Sequence, residues 1–101
     1  MTLQLTGYKA VVTGGALGIG LGIVEDLLLH GAEVVVADVS QENIEQMQEY
    51  LWKHELTDFH AFVGDLSDEK TVNDLHQNSL NLMGTVHILV NCAGGGNKSL
   101  P

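Results

Sequence analysis

An apolar, β-branched run, Val11-Val12-Thr13, breaks into glycines at Gly14 and Gly15 and resumes at Ile19 as an amphipathic segment reaching His30. The first run reads as a buried parallel strand and the second as a helix. A strand that stops at glycines and restarts as a helix aims the helix's first backbone N–H groups at whatever lies above the strand. Those donors have no intrahelical partners and stand at the positive end of the macrodipole, so a phosphate suits them. A side chain at Gly14 or Gly18 would hold a pyrophosphate off the backbone, and one at Gly20 would keep helix and strand apart. The feature reads as a dinucleotide-binding turn.

The alternation then repeats. The opening strand is expected over Tyr8–Thr13, and its helix carries Ile19, Ile23, Leu27, Val24 and Leu28 as a wide inward face, closed by Gly31 in the αL position. Glu33–Asp38 reads as a second strand, apolar on both faces. A helix of about 41–54 follows, capped by Ser40, with Ile44, Met47 and Leu51 inward. Phe59–Gly64 is a third strand. The next helix, about 68–82, is expected to be capped by Ser67, to face Val72 and Leu75 inward and to end at Gly84. Thr85–Val90 is a fourth strand, running into a glycine-rich loop. Strands separated by helices of this length imply right-handed crossovers and a parallel sheet.

A chain of 101 residues suits one compact domain. Its formal charge of −9 rests on four lysines and no arginine, which disfavours nucleic acid and anionic membrane surfaces as partners. No stretch approaches the ~20 apolar residues of a membrane span, and Met1 to Lys9 lacks the pattern of a secretory signal. The single cysteine, Cys92, rules out an internal disulfide framework. A soluble, cytoplasmic protein is the expectation.

Glycines gain meaning from Asp38, at the C-terminal end of the second strand and close to the ~20-residue offset of a ribose-binding acid. A carboxylate there can accept from both adenosine ribose hydroxyls and repels a 2′-phosphate. This favours NAD over NADP. The competing reading is that Asp38 only caps the loop before Ser40.

Thr13-Gly14-x-x-x-Gly18-Ile19-Gly20, Asp38, Asp65 after the third strand and Asn91-Cys92-Ala93-Gly94 after the fourth together resemble the N-terminal half of a short-chain dehydrogenase/reductase. The resemblance covers essentially the whole chain. It implies an α/β fold, a Rossmann-type doubly wound parallel sheet of four strands in order 3-2-1-4 with about three helices, residues 1–101 forming a single half-domain. It carries cofactor contact onto Gly14, Ala16, Leu17, Gly18, Ile19, Gly20, Asp38, Val39, Asp65, Leu66, Asn91, Ala93 and Gly94. Asp65 and Leu66 are implied against the adenine; Asn91, Ala93 and Gly94 are implied beneath the central ribose region. Asp65 and Asn91 are read as ending neighbouring strands. Two departures stand out: Cys92 replaces a usual asparagine, and Leu17 replaces a residue often polar, at the cost of one phosphate contact.

The implied activity is NAD-dependent oxidation of a secondary alcohol or reduction of a ketone, in a homo-oligomer. The Tyr-x-x-x-Lys pair that such chemistry uses is absent. Tyr50-Leu51-Trp52-Lys53 places the lysine one residue early, and Tyr8-Lys9 fails geometrically, so no catalytic residue is assigned. The histidines (His30, His54, His60, His76, His87) show no metal-ligand spacing, Cys92 reads as a packed thiol, and Trp52 reads as partial core. In the order 3-2-1-4 the fourth strand is an open edge, which suggests self-association. The alternative function is a non-catalytic nucleotide-binding or self-associating module.

Overall fold

The computed structural model describes residues 4–92. Four parallel strands, β1 (Lys9–Thr13), β2 (Glu33–Asp38), β3 (Phe59–Val63) and β4 (Ile88–Asn91), alternate with three helices, α1 (Gly18–Leu29), α2 (Gln41–Lys53) and α3 (Glu69–Met83). The sheet runs β3-β2-β1-β4, the order expected from the resemblance. Thr13 pairs with Ala37 on one side and Asn91 on the other, so the strands finish level along one edge.

Alternate side chains of the two inner strands serve two cores. Ala10, Val12, Val34 and Val36 face α1 and α2, meeting Val24, Leu28, Ile44, Met47 and Leu51. Val11, Val35 and Ala37 face the other way, against Leu75 and Met83 of α3. Burial on both sides explains why β1 and β2 read as unbroken apolar runs. The inward stripe expected for α2 is fully buried.

The helix ends follow local chemistry. Ser40 caps α2, its hydroxyl accepting from the Asn43 N–H at 3.1 Å. Gly84 ends α3 in the left-handed region, at φ +86°. The α3 start differs from expectation: Asp68, not Ser67, is the cap, and its Oδ1 accepts from the Lys70 N–H at 3.2 Å. Ser67 is drawn back instead, its hydroxyl donating to Asp65 at 2.7 Å.

Three packing expectations are corrected. Ile19 is 82 % exposed, because the first turn of α1 overhangs the strand ends; the buried stripe begins at Gly20 and continues through Val24 and Leu28. Val72 is 43 % exposed on the flank of α3, where it borders a cleft rather than the core. Asp65 and Asn91 do not end neighbouring strands, since β3 and β4 are the outer strands with β2 and β1 between them. Trp52 is half exposed and stacks at 6.1 Å on Phe59. No helix among the described residues is long and apolar enough to cross a membrane.

Candidate functional site

The turn that leaves β1 is gripped by the end of β2. Gly14 and Gly15 both donate their N–H groups to the Ala37 carbonyl, at 2.7 and 3.3 Å. Ala16 N–H donates to Oδ2 of Asp38 at 3.3 Å, and Oδ1 of the same carboxylate accepts from the Ser40 N–H at 3.1 Å. Asp38 therefore does cap the loop before α2, and it reaches the glycine turn as well.

Leu17 precedes α1 in extended backbone and gives it no side-chain cap, nor does the first turn contain an acid. Among the described residues no side chain caps the N–H groups at the front of α1, which leaves them suited to an anion. Gly18 has φ +60°, and a Cβ there would meet no protein atom within 4 Å. It would project into the open space before the helix. At Gly20 a Cβ would run into the Gly14 carbonyl oxygen. Gly15, to which the sequence reading gives no role, is the packing glycine: a Cβ there would lie 2.8 Å from Val36 and 3.1 Å from both Val12 and Val24. Its only signal in the sequence is the doublet at a strand end.

Beside this turn a cleft of about 850 Å³ opens along the strand ends and continues down the α3 face. Thr13, Gly14, Asp38, Asp65 and Asn91 form its polar end, while Val11, Leu75, Val86 and Leu89 line its apolar depth. Thr13 Oγ1 donates to Asn91 Oδ1 at 2.8 Å, and the Cys92 N–H donates to the Thr13 carbonyl at 2.9 Å. The Ser67 hydroxyl, and then its N–H, hold the Asp65 carboxyl below its ordinary 3.8, so it stands ready as an ionised acceptor.

Of the residues singled out from sequence, Gly14, Asp38, Val39, Asp65, Leu66 and Asn91 border this one cleft. Ala16, Leu17, Gly18, Ile19 and Gly20 make the adjoining turn and the first turn of α1. Ala93 and Gly94 lie outside the described residues. Cys92 also lines the cleft. Thr13, quoted in the glycine motif without a role, joins the site through its bond to Asn91.

Tyr50 and Lys53 belong to α2, on the layer opposite the cleft. The Tyr50 hydroxyl donates to Glu25 at 3.0 Å, and that acceptor pushes the phenol above its ordinary 10.0. Tyr8 stacks on His87 at 5.2 Å, at the opposite end of β1 from the glycine turn. His30 and His54 close the ends of α1 and α2 by donating from Nδ1 to carbonyls at 2.8 Å. Among the described residues no three His, Cys, Asp or Glu side chains lie close enough to hold a metal.

A parallel sheet in this order, with a glycine turn on its first strand and an acid ending its second, defines the doubly wound α/β class. Within that class the chain belongs to the short chain dehydrogenase family, whose family model matches residues 8–100. It is 46 % identical over 94 residues to 2,3-dihydroxy-2,3-dihydro-p-cumate dehydrogenase from Pseudomonas putida, covering 93 % of this chain and 36 % of the relative. It is 34 % identical over 97 residues to 15-hydroxyprostaglandin dehydrogenase [NAD(+)] from Rattus norvegicus, covering 95 % of this chain and 36 % of that one. Hydroxysteroid dehydrogenase from Escherichia coli superposes with a TM-score of 0.84 at 32 % identity, over 94 % of this chain and 39 % of that structure. The chain thus spans little more than a third of the length of the proteins it matches.

Proposed function

We propose that this chain is the NAD(H)-binding portion of a dehydrogenase that oxidises a secondary alcohol or reduces a ketone. One observation carries the choice of cofactor. Asp38 directs an ionisable carboxylate at the glycine turn with both oxygens anchored, in a chain that contains no arginine. A 2′-phosphate on the adenosine ribose would meet that carboxylate with no arginine of this chain to offset the repulsion. The rat relative, whose name specifies NAD(+), supports the same choice. The Pseudomonas relative, named for a dihydroxy compound, supports an alcohol as substrate.

The cradle fits a dinucleotide. The N–H groups from Leu17 to Ile19 would hold the pyrophosphate, with Gly14, Ala16 and Gly20 shaping the turn. Asp38 would accept from the adenosine ribose. Val39, Asp65 and Leu66 would border the adenine, and Asn91 with Ala93 and Gly94 the second ribose. When bound, the nicotinamide supplies the hydride acceptor or donor. The proton-transferring Tyr-x-x-x-Lys pair implied by the family resemblance belongs, on this reading, to sequence outside the 101 residues.

Isothermal titration with NAD and NADP tests the proposal. NAD should bind at least about tenfold more tightly, and Asp38→Asn should weaken NAD by about ten- to a hundredfold, or roughly 1.5–3 kcal/mol. Equal affinities for the two dinucleotides would remove Asp38 from the ribose site. A second reading, a nucleotide-holding module without turnover, draws on the position of Tyr50 and Lys53 away from the cleft. NAD binding with no hydride transfer by the native protein would support it.

A further inference from the structure

The three N–H groups leading out of β1 are held in different ways. Gly14 and Gly15 donate to the Ala37 carbonyl, so the backbone of β2 alone fixes them. Ala16 donates to a side chain, Oδ2 of Asp38, at 3.3 Å across 22 residues of sequence. Asp38 is steadied in turn by the Ser40 N–H on its other oxygen. Ala16 is 2 % exposed, so water is a poor substitute acceptor for its N–H.

The geometry points to a second task for Asp38: its carboxylate latches the glycine turn through the Ala16 N–H, so one side chain both receives the ribose and sets the turn that receives the phosphates. The ribose half rests on the function proposed above. The latch is a property of the chain's own atoms. The two tasks are compatible, because each carboxylate oxygen offers two lone pairs and can accept an amide and a hydroxyl together.

Cofactor selectivity and turn geometry are then coupled through one group. Alanine or arginine at position 38 removes the repulsion toward a 2′-phosphate, but also removes the acceptor that Ala16 uses. Asparagine removes the charge and keeps an oxygen. A change of cofactor at this position is therefore expected to loosen the turn unless an acceptor for Ala16 is retained.

Amide hydrogen exchange by NMR on the whole chain without nucleotide tests the latch in wild type, Asp38→Asn and Asp38→Ala, with the Gly14 amide as control for the intact strand ends. Ala16 should exchange about tenfold faster in Asp38→Ala, stay close to the wild-type rate in Asp38→Asn, and leave Gly14 unchanged. Equal Ala16 rates in all three proteins, with Gly14 still protected, would overturn the latch. A measurement on wild type alone covers the case in which Asp38→Ala does not fold. In wild type the Ala16 amide should exchange about tenfold more slowly than the Gly18 amide at the front of α1, and equal rates overturn the proposal. Titration of wild type with NAD separates the two ideas: no binding beside an intact latch overturns the nucleotide assignment and leaves the latch standing.

Discussion

Thr13 and Asn91 tie the C-terminal ends of β1 and β4 together, the threonine hydroxyl donating to the asparagine side-chain oxygen across 2.8 Å. Thr13 is 8 % exposed, so this bond sits under the floor of the cleft. With its oxygen turned to Thr13, Asn91 keeps the two N–H donors of its amide for the cleft that it borders.

Thr13→Val keeps the shape and removes the donor. Unfolding free energy should fall by about 1 kcal/mol, read from the urea midpoint, and NAD should bind more weakly. Thr13→Ser should restore both. An unchanged midpoint and affinity in Thr13→Val would show that Asn91 needs no such hold.

Two glycines of α1, two residues apart, should respond oppositely to alanine. Gly20→Ala drives a Cβ onto the Gly14 carbonyl and to 2.9 Å from the Gly15 Cα, both backbone, so no side-chain rotation relieves it. The expected loss is roughly 3 kcal/mol. Gly22 is exposed, and a Cβ there meets nothing within 4 Å. Alanine at that position should gain about 0.5–1 kcal/mol from the smaller entropy of the unfolded chain. Thermal unfolding of both variants checks the contrast.

Glu33 joins three strands, accepting from Lys9 Nζ and His60 Nε2 at 2.7 Å each. The Lys9 bond first, and the His60 bond second, hold its carboxyl below the ordinary 4.5; the Lys9 ammonium is held above 10.5 by the same bond. A lowered acid stabilises the fold above its unfolded value, and that contribution is lost as pH falls through the lower folded value. A raised base stabilises below its unfolded value and is lost as pH rises through the folded one. Glu33→Gln should cost roughly 1 kcal/mol at neutral pH, modest because the group is partly solvated. The difference from wild type should shrink toward zero as pH falls through the folded value of Glu33, which lies below the ordinary 4.5. A difference independent of pH would assign the loss to packing instead.

Among the described residues β4 pairs only with β1, and it carries neither lysine nor proline on its free side. Leu89, on the cleft face of this strand, is 69 % exposed. The 101-residue chain is expected to self-associate along this edge, as unguarded edge strands do. Light scattering should show species larger than a monomer, reduced by Leu89→Lys. A monodisperse wild-type monomer would exclude this edge as an adhesive.

Much of this architecture was legible because its causes are local. Val34-Val35-Val36 announces a strand buried on both faces, and Ser40 and Gly84 mark helix ends through bonds and dihedrals spanning a few residues. The misses arise where distance decides. Ser67 and Asp68 are both good caps, and only the pull of Asp65 on the serine hydroxyl separates them. Ile19 fits the helical period, but the sheet ends before it can be covered. Asp38 was legible as an acid at the end of the second strand. Its bond to Ala16 was not, because no periodicity relates the last residue of one strand to the turn that follows another. The same holds for the apolar part of the cleft, which exists only once α3 is laid across the sheet face.

Gly15 has a consequence for how far the turn's neighbourhood extends. A Cβ on it would press against methyl groups of Val12, Val24 and Val36, so the platform under this turn is hydrocarbon and has no slack. Lengthening one of those valines by a single carbon, as isoleucine does, tilts the platform from below. On the function proposed above, affinity for the nucleotide thus becomes a readout of core volume, and residues that never approach the ligand would share in setting how tightly it is held.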